Sequence, residues 1–317
     1  MEQLRFDGQV AIVTGAGGNP GLGRSHAMLL AERGAKVVVN DLGQEPLGSD
    51  RVPARAEAVA AEIRAAGGEA IADTGNVADE AGAKAIVLRA LDTWGRVDVL
   101  VNNAGVGFLA GFDEITSADI RTMVEVHLMG TIWMCRAAWG PMMKQGYGRI
   151  VNTTSGGMMG MPGMSVYGAA KFGIFGLTRG LAVEGAGHNI RVNALSPGAA
   201  TRNGSRHFSI PDPEAKRAYE HKFRPGLVSP AVAFLAHAAC DVSGMLFHAG
   251  GGKVSSRQIC MTEGIDEPEL TIEHVHAAID TILDPASLTP ATNPRDPSVT
   301  GTSSAAALLV PKAYQPG

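Results

Sequence analysis

The sequence predicts an α/β fold in which a single doubly wound parallel sheet of about seven strands is followed by a C-terminal extension. Short, continuous apolar runs such as residues 10–13 and 37–39 recur along the chain, and they are typical of strands buried on both faces of a parallel sheet. Helical segments alternate with these runs, which is the order of consecutive β-α-β units. With 317 residues, of which 45% are hydrophobic, the chain is long enough for one large core.

The character of the sequence changes after residue 252, which predicts two parts. Residues 1–255 contain all the β-α-β units and form the first domain. Residues 256–317 begin with a segment, 270–283, that can form one helix, and they continue as a stretch rich in Pro, Thr, Ser and Ala that is typical of an extended arm. Within the first domain, residues 201–225 are polar and contain prolines, which predicts a mobile lid over a substrate.

Composition argues against several classes of function. No run of about eighteen apolar residues is present, and the first residues lack the apolar segment of a secretion signal, so we expect no membrane association. The net charge of -4 comes without a basic stripe, which argues against a nucleic-acid partner. The cysteines at positions 135, 240 and 260 are not spaced for a metal, so we expect reduced thiols, no metal site and a cytoplasmic protein.

A glycine-rich turn follows the first strand. Residues 14–23 read TGAGGNPGLG and lead through a helical segment, 24–33, to a second strand that ends near Asp41. Glycines let the backbone approach a pyrophosphate, and the start of the helix offers free N–H groups. An acid about 20 residues further on accepts hydrogen bonds from both hydroxyls of an adenosine ribose and repels a 2′-phosphate. The unit therefore predicts NAD in preference to NADP, with Arg24 as the nearest basic residue, and a purely structural turn is the alternative.

Small and polar residues follow two later strands. Asn-Asn-Ala-Gly occupies residues 102–105 after the fourth strand, and Thr153, Thr154 and Ser155 follow the fifth. Because ligands bind at the carboxyl ends of the strands in open α/β sheets, we expect both groups to border one site.

Ser155, Tyr167 and Lys171 carry the chemistry that the sequence predicts. Tyr167 and Lys171 are four residues apart, so they share one face of a helix. A positive charge beside a phenol favours its anion, and we expect Lys171 to lower the pKa of Tyr167 so that the phenol can accept a proton near neutral pH. Ser155 can hold the oxygen of a carbonyl or alcohol substrate. An ordinary helical pair is the alternative for Tyr167 and Lys171 taken alone.

Four motifs together resemble the short-chain dehydrogenase/reductase family. They are the glycine turn at 14–23, Asn-Asn-Ala-Gly at 102–105, Ser155 with Tyr167-x-x-x-Lys171, and Ser-Pro-Gly at 196–198. The match covers about residues 7–252. It implies a Rossmann-like fold in which NAD oxidises a secondary alcohol reversibly to a ketone. Segments 38–43, 125–130 and 136–139 are further similar to the (3R)-hydroxyacyl-CoA dehydrogenase branch, which occurs in multifunctional enzymes of type 2 and in bacterial relatives.

The resemblance implies a role for each site residue. Tyr167 is the general base, Ser155 binds the substrate oxygen, and Lys171 binds the nicotinamide ribose. His127 stands where most family members have an asparagine, and it is implied to order a water behind Lys171. The implied cofactor-binding residues are Gly15, Gly21, Leu22, Gly23, Asp41, Asn76, Val77, Asn103, Ala104, Gly105, Tyr167, Lys171, Pro197, Gly198 and Thr201. Of these, Asn76 and Val77 are expected beside the adenine, and the last three beside the nicotinamide.

Two departures from the family pattern leave alternatives open. The glycine turn has two extra residues. The interval from Ser155 to Tyr167 is 12 residues, whereas the family interval of 13 would begin at Thr154. We favour Ser155 because residues 150–155 align directly with the family strand, and Thr154 is the alternative hydroxyl.

The substrate is predicted only by class. A loop rich in methionine, with Met158, Met159, Met161 and Met164, suits an apolar group, so we expect a CoA-linked acyl substrate or, as the alternative, a sterol or other bulky alcohol. A dinucleotide-binding subunit without turnover is the alternative of another class. Apolar stripes on the helices predicted at 118–144 and 165–187 predict a homodimer or homotetramer.

Overall fold

The computed structural model describes residues 3–43, 54–202, 204 and 209–291. The chain divides into two compact units, one that ends at Arg257 and one that begins at Gln258. The division lies two residues beyond the predicted boundary, because residues from Lys253 to Arg257 form a further strand of the first unit.

An eight-stranded sheet is the centre of the first unit. Its strands are β1 (Val10–Thr14), β2 (Lys36–Asn40), β3 (Glu69–Asp73), β4 (Val99–Asn102), β5 (Gly148–Thr153), β6 (Ile190–Gly198), β7 (Leu246–Gly250) and β8 (Lys253–Arg257). Their order in the sheet is β3-β2-β1-β4-β5-β6-β7-β8. The first seven strands are parallel, which confirms the predicted doubly wound sheet, and β8 runs antiparallel to β7. The prediction of about seven strands missed β8, which follows a turn at the glycines of residues 250–252.

Helices cover both faces of this sheet, as in a doubly wound fold. The α-helices of the first unit are α1 (Leu22–Glu32), α2 (Ala54–Ala65), α3 (Glu80–Trp94), α4 (Ser117–Met123), α5 (Gly130–Gln145), α6 (Ser165–Glu184), α7 (Pro213–Lys222) and α8 (Ser229–Ala236). Alternate strand residues belong to different cores. Ala11 and Val13 pack with α1, α2 and α8, while Val10 and Ile12 pack with α3 and α5, on the face that α6 also covers.

The helix predicted from residue 118 to 144 contains an irregular turn. It begins after Thr116, whose Oγ1 accepts a hydrogen bond of 3.1 Å from the N–H of Asp119. Between α4 and α5, the backbone of Val124–Met129 forms a π-helical turn. Such turns are rare and occur frequently at functional sites. His127 lies in this turn.

Two predicted segments differ from the structure. Part of the segment predicted as a lid is the regular helix α7, while residues 203 and 205–208 lie outside the described residues. In the second unit, the single helix predicted at 270–283 is wrong, because the chain forms two short helices, α9 (Ile272–Ala277) and α10 (Ile279–Ile282). An antiparallel pair, β9 (Cys260–Met261) and β10 (Thr289–Pro290), flanks them in the sequence.

The predicted extended arm lies outside the described residues from position 292 onward. In the described part of the chain, no helix is long and apolar enough to span a bilayer.

Candidate active site

The glycine turn between β1 and α1 forms a close backbone cradle. Gly15 has a φ of 64°, and a Cβ atom on it would lie 2.7 Å from the Cα of Ala104. A Cβ atom on Gly23 would lie 2.5 Å from both the carbonyl oxygen of Gly15 and the Nδ2 of Asn103. Neither position has room for a side chain. Since α1 begins at Leu22, directly after Gly21, the cradle meets the positive end of a helix and fits a dinucleotide pyrophosphate.

Thr14 and Asn103 hold this cradle in place. The Thr14 hydroxyl accepts hydrogen bonds from the N–H groups of Asn103 (3.0 Å) and Ala104 (3.1 Å). The Asn103 amide donates to the carbonyl oxygens of Thr14 (2.9 Å) and Gly15 (3.0 Å). The side chain of Asn103 therefore fixes the turn after β1 to the turn after β4. Sequence reasoning missed Thr14, although a hydroxyl at the end of a buried strand is a detectable signal.

Asp41 stands at the open side of the cradle. Its Oδ2 accepts a hydrogen bond of 2.8 Å from the N–H of Gly17, and its Oδ1 accepts one of 2.8 Å from Gly43. The carboxylate is partly exposed, and its remaining lone pairs can accept from a ligand. The nearby Arg24 is held by the Glu62 carboxylate, with 2.9 Å between Nε and Oε2, so its charge is already paired.

The predicted adenine-side residues lie in an ordered loop after β3. The Asp73 carboxylate accepts hydrogen bonds from the Asn40 amide (2.9 Å) and the N–H of Gly75 (2.7 Å). The helix that follows, α3, begins only at Glu80. Asn76 and Val77 therefore stay in the loop. Sequence reasoning missed Asn40 and Asp73, whose roles become visible only when β2 and β3 pair.

Ser155, Tyr167 and Lys171 meet at the carboxyl end of β5. Ser155 precedes a 3-10 turn, Gly156–Met159, and its Oγ accepts a hydrogen bond of 3.2 Å from the N–H of Gly157. Lys171 is buried, and its Nζ donates to the carbonyl oxygen of Thr153 at 2.8 Å. The same Nζ lies 5.8 Å from the centre of the Tyr167 ring.

The protonation expected for this group needs a correction. Burial raises the pKa of Tyr167 above its ordinary value, and a hydrogen bond with the Ser155 side chain offsets part of that rise. Burial also lowers the pKa of Lys171 to about 7. The structure does not support the prediction that Lys171 lowers the pKa of Tyr167, because burial raises this pKa and the hydrogen bond with Ser155 is what lowers it.

Thr154 and Ser155 occupy different environments. Thr154 is 1% exposed, and its Oγ1 has no hydrogen-bond partner among the described residues. Its side chain is therefore enclosed away from the cleft, whereas the Ser155 hydroxyl interacts with the Tyr167 phenol. The geometry favours Ser155 as the group that meets a substrate oxygen.

His127 packs directly against Tyr167. The two rings are perpendicular, with centroids 5.2 Å apart. The Nε2 of His127 lies 2.6 Å from the carbonyl oxygen of Val106. In the tautomer that carries its hydrogen on Nε2, the imidazole donates a hydrogen bond to this oxygen. Burial, together with the charge of Lys171, holds the pKa of His127 well below its ordinary value, so the ring is neutral. Gly105 lies against the same imidazole.

The predicted nicotinamide-side residues lie at and beyond the end of β6. Pro197 and Gly198 are the last residues of the strand and pair with β7. Thr201 lies in the following segment, and its Oγ1 accepts a hydrogen bond of 3.1 Å from the N–H of Gly204. Just before it, the N–H of Ala200 donates to the carbonyl oxygen of Phe223 at 2.7 Å, which ties this segment to the end of α7.

The methionine-lined cavity does not contain the catalytic group. It measures about 340 Å³, and its lining includes Met158, Met161 and Met164 together with Phe172 of α6. Ser155, Tyr167 and Lys171 do not line it, because Tyr167 and Lys171 face another side of α6. Met159 is exposed and is not part of the lining. Gly157 also lines the cavity, and a Cβ atom on it would lie 2.9 Å from the sulfur of Met164 and 3.4 Å from the ring of Tyr167, so the cavity borders the catalytic group.

The comparison with protein families agrees with the fold and the motifs. Residues 9–207 match the family model described as short chain dehydrogenase, and the chain belongs to this family. The resemblance drawn from the motifs is confirmed.

Individual relatives extend this result. The chain is 46% identical to the peroxisomal multifunctional enzyme type 2 of Mus musculus over an alignment of 250 residues. This alignment covers 78% of this chain and 32% of the mouse protein. The structure of the full-length peroxisomal multifunctional enzyme type 2 from Drosophila melanogaster has a TM-score of 0.74 and 33% identity, covering 92% of this chain and 48% of that one. A short chain dehydrogenase from Mycobacterium avium also has a TM-score of 0.74, with 35% identity over 90% of this chain and 97% of that one. The chain thus spans less than half the length of the two multifunctional enzymes.

Proposed function

We propose that this oxidoreductase interconverts a secondary alcohol and a ketone with NAD, and that its substrates are 3-hydroxyacyl-CoA thioesters. The observation that carries the reaction class is the meeting of Ser155, Tyr167 and Lys171 at the carboxyl end of β5. A continuous set of contacts joins this group to the glycine cradle: Gly15 contacts Asn103, Gly105 lies against His127, and His127 packs on Tyr167.

Each side chain has a separate task in this reaction. When bound, the nicotinamide supplies or accepts the hydride. Tyr167 Oη takes the proton of the alcohol during oxidation and returns it during reduction. Ser155 Oγ hydrogen-bonds the reacting oxygen and keeps it beside the phenol. Because burial raises the pKa of Tyr167, the phenol holds its proton near neutral pH, so alcohol oxidation gains from higher pH.

The preference for NAD over NADP rests on the charges around the cradle. The Asp41 carboxylate would accept hydrogen bonds from the hydroxyls of the adenosine ribose, and it would repel a 2′-phosphate. Arg24, the nearest basic residue in the sequence after the turn, is engaged by Glu62 and does not offer a free charge to that phosphate.

The acyl-CoA assignment rests on the sequence segments that resemble the hydroxyacyl-CoA branch and on the similarity to multifunctional enzymes. Initial rates with NAD+ should be higher for 3-hydroxyacyl-CoA thioesters than for sterols or simple secondary alcohols. Equal or higher rates with sterols would transfer the proposal to the bulky-alcohol alternative. A chain that binds NAD but turns over none of these substrates would be the silent subunit instead.

The decisive variant for the mechanism is Tyr167→Phe. It should lower kcat at least about a thousandfold and leave the Kd for NAD within about threefold, because the phenol acts on the proton rather than on the dinucleotide. Tyr147→Phe is the matched control, since Tyr147 directly precedes β5 at the opposite edge of the sheet. Near wild-type turnover in the Tyr167 variant would rule out this mechanism. A higher kcat/KM with NADP+ than with NAD+ would separately rule out the role of Asp41.

Self-association through α6 is part of the proposal. The exposed stripe of this helix carries one charged side chain, Glu184 at its C-terminal end, and burying the uncharged remainder in a homodimer or homotetramer removes apolar surface from water. The stripe consists of Ser165, Ala169, Phe172, Gly176, Gly180, Val183 and Glu184. Light scattering of Phe172→Glu should show a lower molar mass than the wild type, and an unchanged mass would argue against this interface.

A further inference from the structure

Arg257 is brought to the substrate side of the sheet by the strand that the sequence analysis missed. Gly251 and Gly252 have φ values of 58° and 82°, which favour glycine, and they reverse the chain into β8. In the resulting antiparallel pair, Arg257 lies opposite Leu246, and Leu246 lies opposite Ala194 of β6. The side chain of Arg257 therefore starts on the sheet face that α6 covers.

The guanidinium of Arg257 ends beside the reacting centre. Its Nη1 lies 3.4 Å from the Oγ of Ser196, the residue before Pro197. Nη1 and Nη2 lie 3.8 and 3.9 Å from the position that a Cβ atom on Gly156 would take, and apart from the chain neighbours of Gly156 no other described group lies within 4 Å of that point. Gly156 directly follows Ser155. The guanidinium thus stands next to the loop that presents the hydroxyl for the substrate oxygen.

This cation has no counter-ion in the part of the chain that the structure describes. Among the described residues, no Asp or Glu forms an ion pair with Arg257, and its hydrogen bond to Ser196 is long. A guanidinium has five N–H donors in a planar fork and is always charged. Arg257 is partly buried, and partly buried charges are normally paired. Because the described residues give it no such pairing, most of its N–H donors remain available to a ligand.

We propose that Arg257 is a specificity residue that donates hydrogen bonds to an acyl oxygen of the substrate. The inference rests on the proposed function and deepens it. In a 3-hydroxyacyl group, one carbon separates the carbinol carbon from the acyl carbon, so the reacting oxygen and the acyl oxygen are held by neighbouring protein groups. Ser155 takes the first and Arg257 the second. The acyl oxygen belongs to a thioester carbonyl or to a free carboxylate, which share this acceptor chemistry.

The test compares substrates with and without the acyl oxygen in Arg257→Met. The probes are 3-hydroxybutyryl-pantetheine, which has no nucleotide phosphates, free 3-hydroxybutyrate, and 2-butanol, which has no acyl oxygen. For the better of the two acyl probes, we expect kcat/KM to fall about 10- to 100-fold, as for loss of a charge-assisted hydrogen bond. For 2-butanol it should change by less than about threefold. Arg257→Lys should recover part of the loss, and Lys253→Met, on the same strand, should cause none.

The outcomes separate the inference from the proposed function. A loss confined to the thioester or to the free acid supports the inference and identifies the source of the acyl oxygen. An equal loss with 2-butanol, or no loss with any probe, overturns it. If Arg257→Met does not fold by circular dichroism, the same comparison with Arg257→Lys decides. Absence of turnover by the wild type with every alcohol would instead overturn the proposed function.

Discussion

Replacing Lys171 by Met should remove a marked pH dependence from the stability of the folded protein. Lys171 is 3% exposed, and burial lowers its pKa from 10.5 to about 7. At about 1.4 kcal/mol for each pKa unit, holding the charged form in the folded protein costs about 5 kcal/mol. The unfolded chain binds this proton up to pH 10.5, and the folded chain releases it above about 7. Between these values the unfolded state binds more protons, so the lysine's contribution to stability rises with pH.

The assay is urea unfolding of both proteins without added nucleotide, at pH 6 and pH 10. The difference in free energy of unfolding between the wild type and Lys171→Met should rise in favour of the wild type by about 4 kcal/mol over this range. All other titrating groups are the same in both proteins, so their contributions cancel in this difference. Lys144→Met is the control, since Lys144 is exposed on α5, and its difference from the wild type should not depend on pH. A Lys171 difference that is the same at both pH values would refute the conclusion that burial dominates the protonation of this side chain.

Three further predictions concern the same site. Thr154→Val should raise the free energy of unfolding, measured in urea, by about 1 kcal/mol, because it removes a buried hydroxyl without a described partner. It should leave kcat within about threefold, whereas Ser155→Ala should lower kcat at least about a hundredfold. A lower kcat for the Thr154 variant than for the Ser155 variant would favour Thr154 as the substrate-binding hydroxyl. Gly23→Ala should destabilise by about 2 kcal/mol and weaken NAD binding in calorimetry, because its Cβ would clash with the cradle, and unchanged binding would contradict this fit. His127→Asn should lower kcat but leave the limbs of the pH–rate profile between about pH 6 and 9 unchanged, because the His127 ring is already neutral in this range. Loss of a limb in the variant would show that His127 titrates in the reaction.

The sequence was most informative where a residue acts through local geometry. The buried strands, the glycine turn and the spacing of Tyr167 and Lys171 are properties of short segments, and the fold class follows from their order. The antiparallel strand β8 was missed because a glycine-rich end and a glycine-rich turn look alike in sequence. Only the tertiary structure shows that the turn returns Arg257 to the site.

Protonation was the least predictable property of the site. The Tyr167–Lys171 spacing suggests a charge effect, but burial by residues distant in sequence determines the pKa of both groups. The position of the methionine cavity has a similar origin, since it depends on how α6 is rotated against the sheet. The oligomeric state and the cytoplasmic location stay predictions.

The contacts from Gly15 through Asn103, Gly105 and His127 to Tyr167 have a thermodynamic consequence. A dinucleotide bound in the cradle would contact Gly15, the first residue of this set of contacts, and the proton-accepting phenol of Tyr167 is the last. If binding changes the proton affinity of Tyr167, reciprocity requires that the affinity for the dinucleotide depend on pH by the same free energy. The change in the acidity of the phenol on binding can therefore be measured from how the affinity for the dinucleotide varies with pH, without any substrate and without turnover.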